Sequence, residues 1–246
     1  MYINQVKLRN FRNFKSLDLK FYPGKNVIAG KNNVGKSNII KAIDYVLGEK
    51  SPTQISFETT DFHATRSLNS DEPQYASSFT IYVQLNKYAD HPDYKEDILL
   101  NCKGKTGYKC ISKSKPIFNE DTQEIDDDYL SLEEKSQPKW NADELSSRIE
   151  KADSVSVFLH VQDEIKYYRI ILTTEEGNFL IYNVKNLRDC LITSAIIQAI
   201  RSPNTDLKIS NYSWYSKMLK KYWESTSQDS RRRELNKLNQ QLQEGA

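Results

Sequence analysis

The sequence has few cysteines and no long hydrophobic run. Cys102, Cys110 and Cys190 are odd in number and show no C-x-x-C spacing, so the sequence supports neither a disulfide framework nor a cysteine zinc site. No segment approaches the ~20 consecutive apolar residues that a membrane-spanning helix needs, and residues 1–20 lack the apolar stretch of a signal peptide. We therefore expect a cytoplasmic protein with reduced thiols and no membrane partner.

An excess of charge of one sign is also lacking. The 35 Lys and Arg residues nearly balance the 33 Asp and Glu residues, so the formal net charge is +2, which neither demands nor excludes a nucleic-acid partner. The charges fall in blocks: residues 119–134 carry eight acids and no Lys or Arg, and lysines dominate residues 103–115. Because like charges repel, we expect both blocks to be solvated surface loops. The lysines and Arg231–Arg233 are candidate DNA contacts.

The spacing of apolar residues predicts the first elements of the fold. Alternation predicts strands over residues 3–11 and 17–21, joined by the connection Phe11-Arg12-Asn13-Phe14. A short strand over residues 27–29 leads into a glycine-containing loop. Helical spacing from Ile39 onward predicts a helix that ends near Gly48.

The remaining pattern is mostly that of strands and turns. Alternation resumes at residues 79–85, residues 98–102 and 108–112 are typical of a hairpin, and residues 154–184 predict a β-meander. Helical spacing then returns over two segments, residues 187–200 and 212–223.

Residues 30–37 carry the motif with the clearest chemistry. They read G-K-N-N-V-G-K-S and match the phosphate-binding loop pattern G-x-x-x-x-G-K-[ST]. The glycines allow the backbone to turn consecutive N–H groups onto phosphate oxygens. Lys36 brings positive charge to the β- and γ-phosphates of ATP, Ser37 offers a hydroxyl to Mg²⁺, and the following helix points the positive end of its dipole at the phosphates. Lys36 is the predicted catalytic residue, and the predicted nucleotide-binding residues here are Gly30, Lys31, Asn32, Asn33, Val34, Gly35, Lys36, Ser37 and Asn38.

An apolar run followed by Asp163-Glu164 suggests a second ATPase motif, the Walker B strand. Gln162 separates the run from these acids, and polar Ser156 and His160 alternate with its apolar residues. A Walker B strand lies in the centre of a parallel sheet and is apolar on both faces. We therefore interpret Asp163-Glu164 as a hairpin turn.

The segment from Val6 to Glu49 resembles the opening of an ABC-type ATPase of the SMC/RecF-like group. The shared features are Asn10-Phe11-Arg12, the phosphate-binding loop and the helix that begins Asn38-Ile39-Ile40-Lys41-Ala42. Within that group the sequence is most similar to the OLD (overcoming lysogenization defect) family of ATP-dependent endonucleases, through G-K-N-N-V-G-K-S-N and T-T-D-F-H at residues 59–63.

The resemblance implies an α/β fold: an ABC-type P-loop ATPase core with an antiparallel β-subdomain and C-terminal helices. Residues 1–224 would form the N-terminal part of the ATPase domain, with residues 79–184 mostly antiparallel β and an acidic loop at 119–134. Residues 225–246 would be a polar helical tail or the start of a coiled-coil dimerisation arm. The sequence shows no LSGG-type signature motif, no Walker B strand and no TOPRIM nuclease segment. We therefore expect it to be incomplete relative to the family and to hydrolyse ATP poorly alone.

The resemblance also implies further site residues. Arg9, Asn10 and Arg12 would approach the nucleotide from the first hairpin. Asp61 would take the place of the Q-loop residue of related ATPases and, with Ser37, serve Mg²⁺. An N-cap or turn role for Asp61 is equally open, because Asp suits those positions.

Three functions follow from the resemblance. The first is the ATP-binding portion of an OLD-like ATPase and nuclease that acts on DNA in antiphage defence, as a homodimer or higher oligomer, with a defence-system protein or retron nucleic acid as candidate partner. The first alternative is an SMC/RecF-type DNA-repair ATPase without its own nuclease. The second is a non-catalytic clamp or scaffold gated by nucleotide. ATP and Mg²⁺ are the expected cofactors in each case.

Overall fold

Most strands join one eight-stranded sheet in which every pairing is antiparallel. The computed structural model describes residues 2–48, 50–65, 72–86, 108–113, 115–130 and 139–182. The strands are β1 (Tyr2–Phe11), β2 (Phe14–Lys20), β3 (Ala64–Thr65), β4 (Gln74–Tyr75), β5 (Ser78–Asn86), β6 (Tyr108–Lys113), β7 (Lys139–Trp140), β8 (Ser154–Gln162), β9 (Ile165–Thr174) and β10 (Gly177–Tyr182). The order in the large sheet is β2-β1-β5-β8-β9-β10-β6-β7, and β3 pairs with β4 separately.

The residues that the structure describes also form two α-helices, α1 (Lys36–Leu47) and α2 (Ala142–Lys151). The predicted α/β class is confirmed. The antiparallel sheet is not confined to residues 79–184, because β1 and β2 belong to it as well.

The predicted N-terminal hairpin is confirmed. Strands β1 and β2 pair with Leu8 opposite Leu17 and Phe11 opposite Phe14, so Arg12 and Asn13 form the connection. Strand β1 also pairs with β5 along its other edge. Both edges of β1 are therefore occupied, and the turn at residues 12–13 projects from the end of the sheet.

The predicted meander of β8, β9 and β10 is also confirmed. Gln162 pairs with Ile165, so Asp163 and Glu164 form a two-residue turn. Both have positive φ angles, 48° and 67°, as a type I′ hairpin turn requires. The hairpin interpretation of Asp163-Glu164 is thus correct.

Helix α1 covers one face of the sheet. Its apolar residues fall at helical spacing, and Ala42, Val46 and Leu47 are buried in the same core cluster as Val6 and Leu8 of β1. The helix ends as predicted at Gly48, whose N–H donates to the carbonyl of Asp44 at 2.7 Å. This packing places the N-terminal end of α1 beside the turn that joins β1 and β2.

The predicted strand over residues 27–29 is wrong. The structure assigns no strand there, and Val27 is 89% exposed. A strand needs a hydrogen-bonded neighbour, and the segment has none among the described residues. The Asn26 side chain instead closes the preceding turn, accepting from the N–H of Tyr22 at 3.0 Å and donating to its carbonyl at 2.8 Å.

Residues 119–124 of the acidic block form an exposed loop, as expected, but residues 125–130 are not simply solvated. Ile125 and Tyr129 are buried against Tyr82 and Phe158 on the face of the sheet opposite α1. The acids between them remain at the surface, where Lys115 pairs with Asp128 at 3.0 Å. Apolar residues set among the charges thus anchor the segment, although its average composition is that of a loop.

Residues 115–130, which we call the acidic cover, also bury the polar side of β8. The alternation of apolar and polar residues in the sequence had indicated a half-exposed strand there. The hydroxyls of Ser156 and Tyr82 lie 2.7 Å apart, and the imidazole Nδ1 of His160 lies 2.8 Å from the hydroxyl of Thr80. Burial raises the pKa of Tyr82 to about 12 and lowers the pKa of His160, because both environments disfavour the charged form.

Helix α2 was not predicted from periodicity, yet it carries a local signal. The side chain of Asn141 accepts from the N–H of Glu144 at 2.8 Å, and the Glu144 carboxylate accepts from the N–H of Asn141 at 2.9 Å. This reciprocal capping box satisfies two N–H groups that a helix start otherwise leaves open.

Several predictions fall outside the described residues. These are the hairpin strand at 98–102, the helices at 187–200 and 212–223, the tail at 225–246 and Arg231–Arg233. Among the residues that the structure does describe, neither helix has the length and apolar content to cross a bilayer.

Candidate phosphate-binding loop

The phosphate loop, residues 30–37, lies exposed between the irregular segment at 27–29 and the first turn of α1. Asn33 and Gly35 adopt positive φ angles of 65° and 100°, which turn the backbone sharply ahead of the helix. Within the described part of the chain, several loop N–H groups donate no hydrogen bond. These open N–H groups belong to Asn32, Asn33, Gly35, Lys36 and Ser37. Together with the positive end of the α1 dipole they form a surface that suits an anion.

Lys36 lies over the loop. Its ammonium group donates to the carbonyl of Gly30 at 2.7 Å and to the carbonyl of Lys31 at 2.6 Å. An ammonium group has three N–H donors, and no described residue accepts the third. The lysine therefore braces the loop and still offers one donor and a positive charge to a phosphate oxygen.

Gly35 is required at its position for two reasons. Its φ of 100° is a conformation that other residues rarely adopt. In addition, a Cβ at this position would lie 2.6 Å from both the Oδ1 of Asn13 and the Cζ of Phe14. The glycine of the motif thus permits the hairpin turn of β1 and β2 to press against the loop.

The hairpin turn contacts the loop through a chain of polar side chains. The amide of Asn13 donates to the carbonyl of Val34 at 3.1 Å and accepts from the amide of Asn38 at 2.7 Å. The oxygen of Asn38 in turn accepts from the Nη1 of Arg12 at 3.0 Å. The prediction that Arg12 and Asn38 belong to the site is compatible with this arrangement. Asn13 was missed because it was taken only as part of the connection between two strands.

Asp61 lies behind Arg12 and is 3% exposed. Its Oδ1 accepts from the Nε and Nη2 of Arg12 at 2.9 and 2.7 Å, and from the hydroxyl of Tyr45 at 3.3 Å. Its Oδ2 accepts from the N–H of Glu58 at 3.1 Å. Both carboxylate oxygens are thus engaged in the turn, which agrees with the turn role left open for this residue. A Mg²⁺ role for Asp61 stays a prediction.

Arg9 is not brought to the phosphate loop. It lies on the opposite face of the sheet from α1, where it is 6% exposed and donates to Asp18 at 2.6 Å and to the carbonyl of Gln123 at 2.9 Å. Successive residues of a strand point to opposite faces, so Leu8 packs toward α1 and Arg9 packs away from it. The expectation that Arg9 approaches the nucleotide is corrected accordingly.

Asn10 also faces away from the loop. It lines, with Arg9, Thr80 and His160, a polar pocket of about 400 Å³ under the acidic segment. Its φ of 52° lets its carbonyl accept from the N–H of His63 at 2.8 Å. Asn10 therefore lies at the end of β1. Asn13 contacts the phosphate loop, and Arg12 contacts Asn38 in the first turn of α1.

The described residues contain no group of three or more His, Cys, Asp or Glu side chains that would hold a metal ion by themselves. Mg²⁺ differs from most metals in this respect, since it commonly takes one or two protein ligands and completes its shell with phosphate oxygens and water. Ser37 is exposed in the first turn of α1 beside the open N–H groups. Its hydroxyl suits such a Mg²⁺ bound together with a nucleotide.

An exposed loop of this sequence, with open N–H groups, a bracing lysine and a following helix, defines a candidate P-loop nucleotide-binding site. The comparison with protein families agrees. The model described as the AAA ATPase domain matches residues 1–245, so the chain belongs to the AAA ATPase domain family. Membership of an ATPase family implies the use of ATP.

Curated relatives match over short segments. The DNA replication and repair protein RecF of Lactococcus lactis subsp. cremoris is 44% identical over 46 residues, which cover 19% of this chain and 13% of that protein. RecF of Alkaliphilus oremlandii is 30% identical over 109 residues, covering 44% of this chain and 26% of that protein. The ATP/GTP phosphatase of Helicobacter pylori is 40% identical over 47 residues, covering 19% of this chain and 13% of that protein. The matches thus span between 13% and 26% of the length of these relatives.

A solved structure is also similar. It comes from work on the ATP-driven dimerization and DNA-stimulated activation of SMC ATPases, and the alignment covers 97% of this chain and 99% of that chain. The sequence identity is 15% and the TM-score is 0.41.

Proposed function

We propose that this chain is the ATP-binding part of a DNA-repair ATPase of the RecF/SMC type. The observation that carries the proposal is the phosphate loop, an exposed segment that holds open N–H groups and a Lys36 ammonium bonded to the carbonyls of Gly30 and Lys31. Family membership and the similarity to RecF proteins support the same function. The alternative stated from the sequence, a repair ATPase, is thereby favoured over the OLD-type endonuclease.

The loop residues would divide the recognition of a nucleotide between them. The open N–H groups of the loop would donate to the phosphate oxygens of ATP, and Lys36 would turn its third N–H onto the β- and γ-phosphates. Ser37 would supply a hydroxyl to Mg²⁺, which neutralises phosphate charge when it is bound. The negative charge of the triphosphate is complementary to a surface that presents N–H donors and one cation. This binding does not require a contact with the nucleobase.

DNA is the proposed substrate, and its support is the name of the RecF relatives as DNA replication and repair proteins. Pairing of two copies around ATP, as a homodimer or higher oligomer, is proposed from the resemblance to ABC-type ATPases. The loop is exposed in the single chain, which leaves it accessible to a second copy.

The OLD-type endonuclease remains a second candidate on its sequence resemblance alone. The residues T-T-D-F-H that resemble that family place Asp61 in direct contact with Arg12, next to the phosphate loop. DNA cleavage, antiphage defence and a retron or defence-protein partner depend on this candidate. A clamp or scaffold in which ATP drives association without turnover is the third.

One experiment separates the three functions. The full chain is incubated with Mg²⁺, ATP and linear double-stranded DNA, and phosphate release, DNA binding and DNA cleavage are followed together. The proposal predicts slow phosphate release that DNA accelerates, that Lys36→Ala abolishes, and that occurs without cleavage. Metal-dependent cleavage of the DNA would favour the endonuclease. ATP-dependent association without phosphate release would favour the clamp.

A further inference from the structure

Two side chains donate hydrogen bonds to the backbone carbonyls of the phosphate loop. Lys36 donates to the carbonyls of Gly30 and Lys31 at the start of the loop, and Asn13 donates to the carbonyl of Val34 at its end. The loop backbone itself contributes little, because its open N–H groups make no hydrogen bond to other described residues. The carbonyl of Gly35 also accepts from the N–H groups of Asn38 and Ile39 at 2.9 and 3.1 Å. Once Lys36 turns toward a phosphate, Asn13 is the described side chain that still donates to the end of the loop.

The hydrogen bonds around Asn13 fix the orientation of its amide. Its Nδ2 faces a carbonyl, so its Oδ1 must accept, and it accepts from the Nδ2 of Asn38. The Oδ1 of Asn38 then accepts from Arg12, whose guanidinium has donors and no acceptor. Turning either amide over would place two donors together. The direction of each hydrogen bond in this series of side chains, from Asp61 to the carbonyl of Val34, is therefore fixed by the buried carboxylate of Asp61.

Asn13 is not needed for the conformation of the turn. The residues with positive φ near this hairpin are Asn10 and Arg12, both at 52°, and Asn13 is not among them. Its side chain is exposed and does not fill the core. The approach of its amide to Gly35 instead uses space that a Cβ would occupy. These features separate Asn13 from residues that only shape the hairpin.

We propose that Asn13 is a positioning residue for nucleotide binding, which holds the end of the phosphate loop so that its open N–H groups converge on a triphosphate. This inference rests on the proposed function, since it names a residue that serves the same loop. The ligand recognised through Asn13 is the phosphate chain, so inorganic triphosphate and ATP should depend on Asn13 to the same extent.

The test measures binding of Mg-ATP and of inorganic triphosphate to the full chain by calorimetry, in parallel with thermal unfolding. Asn13→Ala removes the donor, and Asn13→Asp keeps the shape of the side chain but replaces the donor with a charged acceptor. Loss of one hydrogen bond worth about 1 kcal/mol predicts about a fivefold weaker binding of both ligands for Asn13→Ala. Asn13→Asp should bind more weakly still, because its carboxylate repels phosphate.

Asn141→Ala is the matched control, because it deletes a helix cap of α2 that does not contact the loop. It should lower the unfolding temperature and leave both affinities within twofold of the unchanged chain. A loss of affinity in Asn13→Ala without a larger loss of stability than Asn141→Ala supports a positioning role. If Asn13→Ala does not fold, Asn13→Asp decides the question by the same comparison.

Three results would overturn the inference. If the unchanged chain binds ATP, Lys36→Ala loses binding, and both Asn13 variants bind like the unchanged chain, the role of Asn13 is wrong while the proposed function stands. If the unchanged chain binds neither ATP nor triphosphate, the proposed function fails and this inference fails with it. An effect on ATP that is absent with triphosphate would also contradict it, because the residue would then be acting on the nucleoside.

Discussion

The two faces of the sheet are covered in different ways, although the same strands supply both. Toward α1, Val6 and Leu8 of β1 lie in one core cluster with apolar residues of α1 and with Ile149 of α2. On the other face, Tyr82 of β5 and Phe158 of β8 lie under an acidic segment that reaches the core through a few apolar residues. The first cover is helical. The second is a charged segment that contacts the sheet through a few buried apolar residues.

This difference separates the part of the molecule that determines stability from the part that would bind a ligand. Helix α1 buries one side and leaves its N-terminal end free, so the phosphate loop is exposed while the helix beneath it is fixed. The acidic cover closes its face and buries polar groups such as His160 and Ser156. Changes under the acidic cover should therefore act on stability, and changes at the loop should act on ligand affinity.

The largest effect on stability is expected from Tyr129→Ala. Tyr129 is fully buried, and its hydroxyl donates to the carbonyl of Lys115 at 2.7 Å and accepts from the amide of Asn178 at 3.1 Å. Removing a large buried aromatic side chain costs about 3 kcal/mol of unfolding free energy. Tyr22→Ala, at a residue that is 73% exposed, should change it by less than about 0.5 kcal/mol. Urea unfolding measures both, and equal costs would contradict a closed acidic cover.

A smaller loss is expected at the ion pair behind the loop. Arg12→Ala removes the charged hydrogen-bond donor from the buried carboxylate of Asp61, at a cost of about 2 kcal/mol of unfolding free energy. The double-mutant cycle with Asp61→Asn tests the cause. The second substitution should cost less in the Arg12→Ala background than alone, since the buried charge is then gone. Additive costs in urea unfolding would mean that the two side chains do not stabilise each other.

The acidic cover also predicts a pH dependence. Burial lowers the pKa of His160, and Thr80, Gln162, Glu124 and Asp127 surround it. The unfolded chain therefore binds a proton near pH 6.5 while the folded chain does not, so stability is lost as the pH falls below that value. His160→Gln should flatten the part of the urea-midpoint profile between pH 7 and pH 5.5. A profile that keeps its full slope in His160→Gln would assign the effect to other groups.

The smallest effect is expected at the surface of the same cover. Lys115 pairs with Asp128 at 3.0 Å, and this partner raises the pKa of Lys115, but both side chains are exposed. Exposed ion pairs contribute little because water and salt screen them. Lys115→Ala should leave the urea midpoint unchanged within error at physiological salt. A clear loss would show that charge pairing, and not Ile125 and Tyr129, holds the segment down.

The two covers also differ in how much of each could be predicted from the sequence. Periodicity was sufficient for β1, β2, α1 and the meander, because each buries residues at one regular spacing. It was not sufficient for the acidic block at residues 119–134. Composition indicated a solvated loop, but within the described part of the block Ile125 and Tyr129 reach the core without a repeat. It failed again at residues 27–29, which have strand composition but pair with no strand among the residues that the structure describes.

The candidate site was predictable in part. The motif locates Lys36 and Ser37 because its chemistry depends on consecutive residues. Arg9 was misplaced because the face of a strand on which a side chain lies depends on register, and here the register turns it toward Asp18. Asn13 was missed because its partners, Val34 and Asn38, are more than twenty residues away in the sequence.

The most direct test of the central claim is binding of Mg-ATP to the full chain by calorimetry, with Lys36→Ala compared with Lys41→Ala. Both variants lose one positive charge from α1, but Lys36 lies on the phosphate loop, while Lys41 is one turn further along and lies over the ring of Tyr45. Loss of a charged hydrogen bond predicts binding that is about tenfold to a hundredfold weaker for Lys36→Ala, and affinity within twofold of the unchanged chain for Lys41→Ala. Equal affinities of the two variants, or no binding by the unchanged chain, would contradict the claim that residues 30–37 hold the phosphates of ATP.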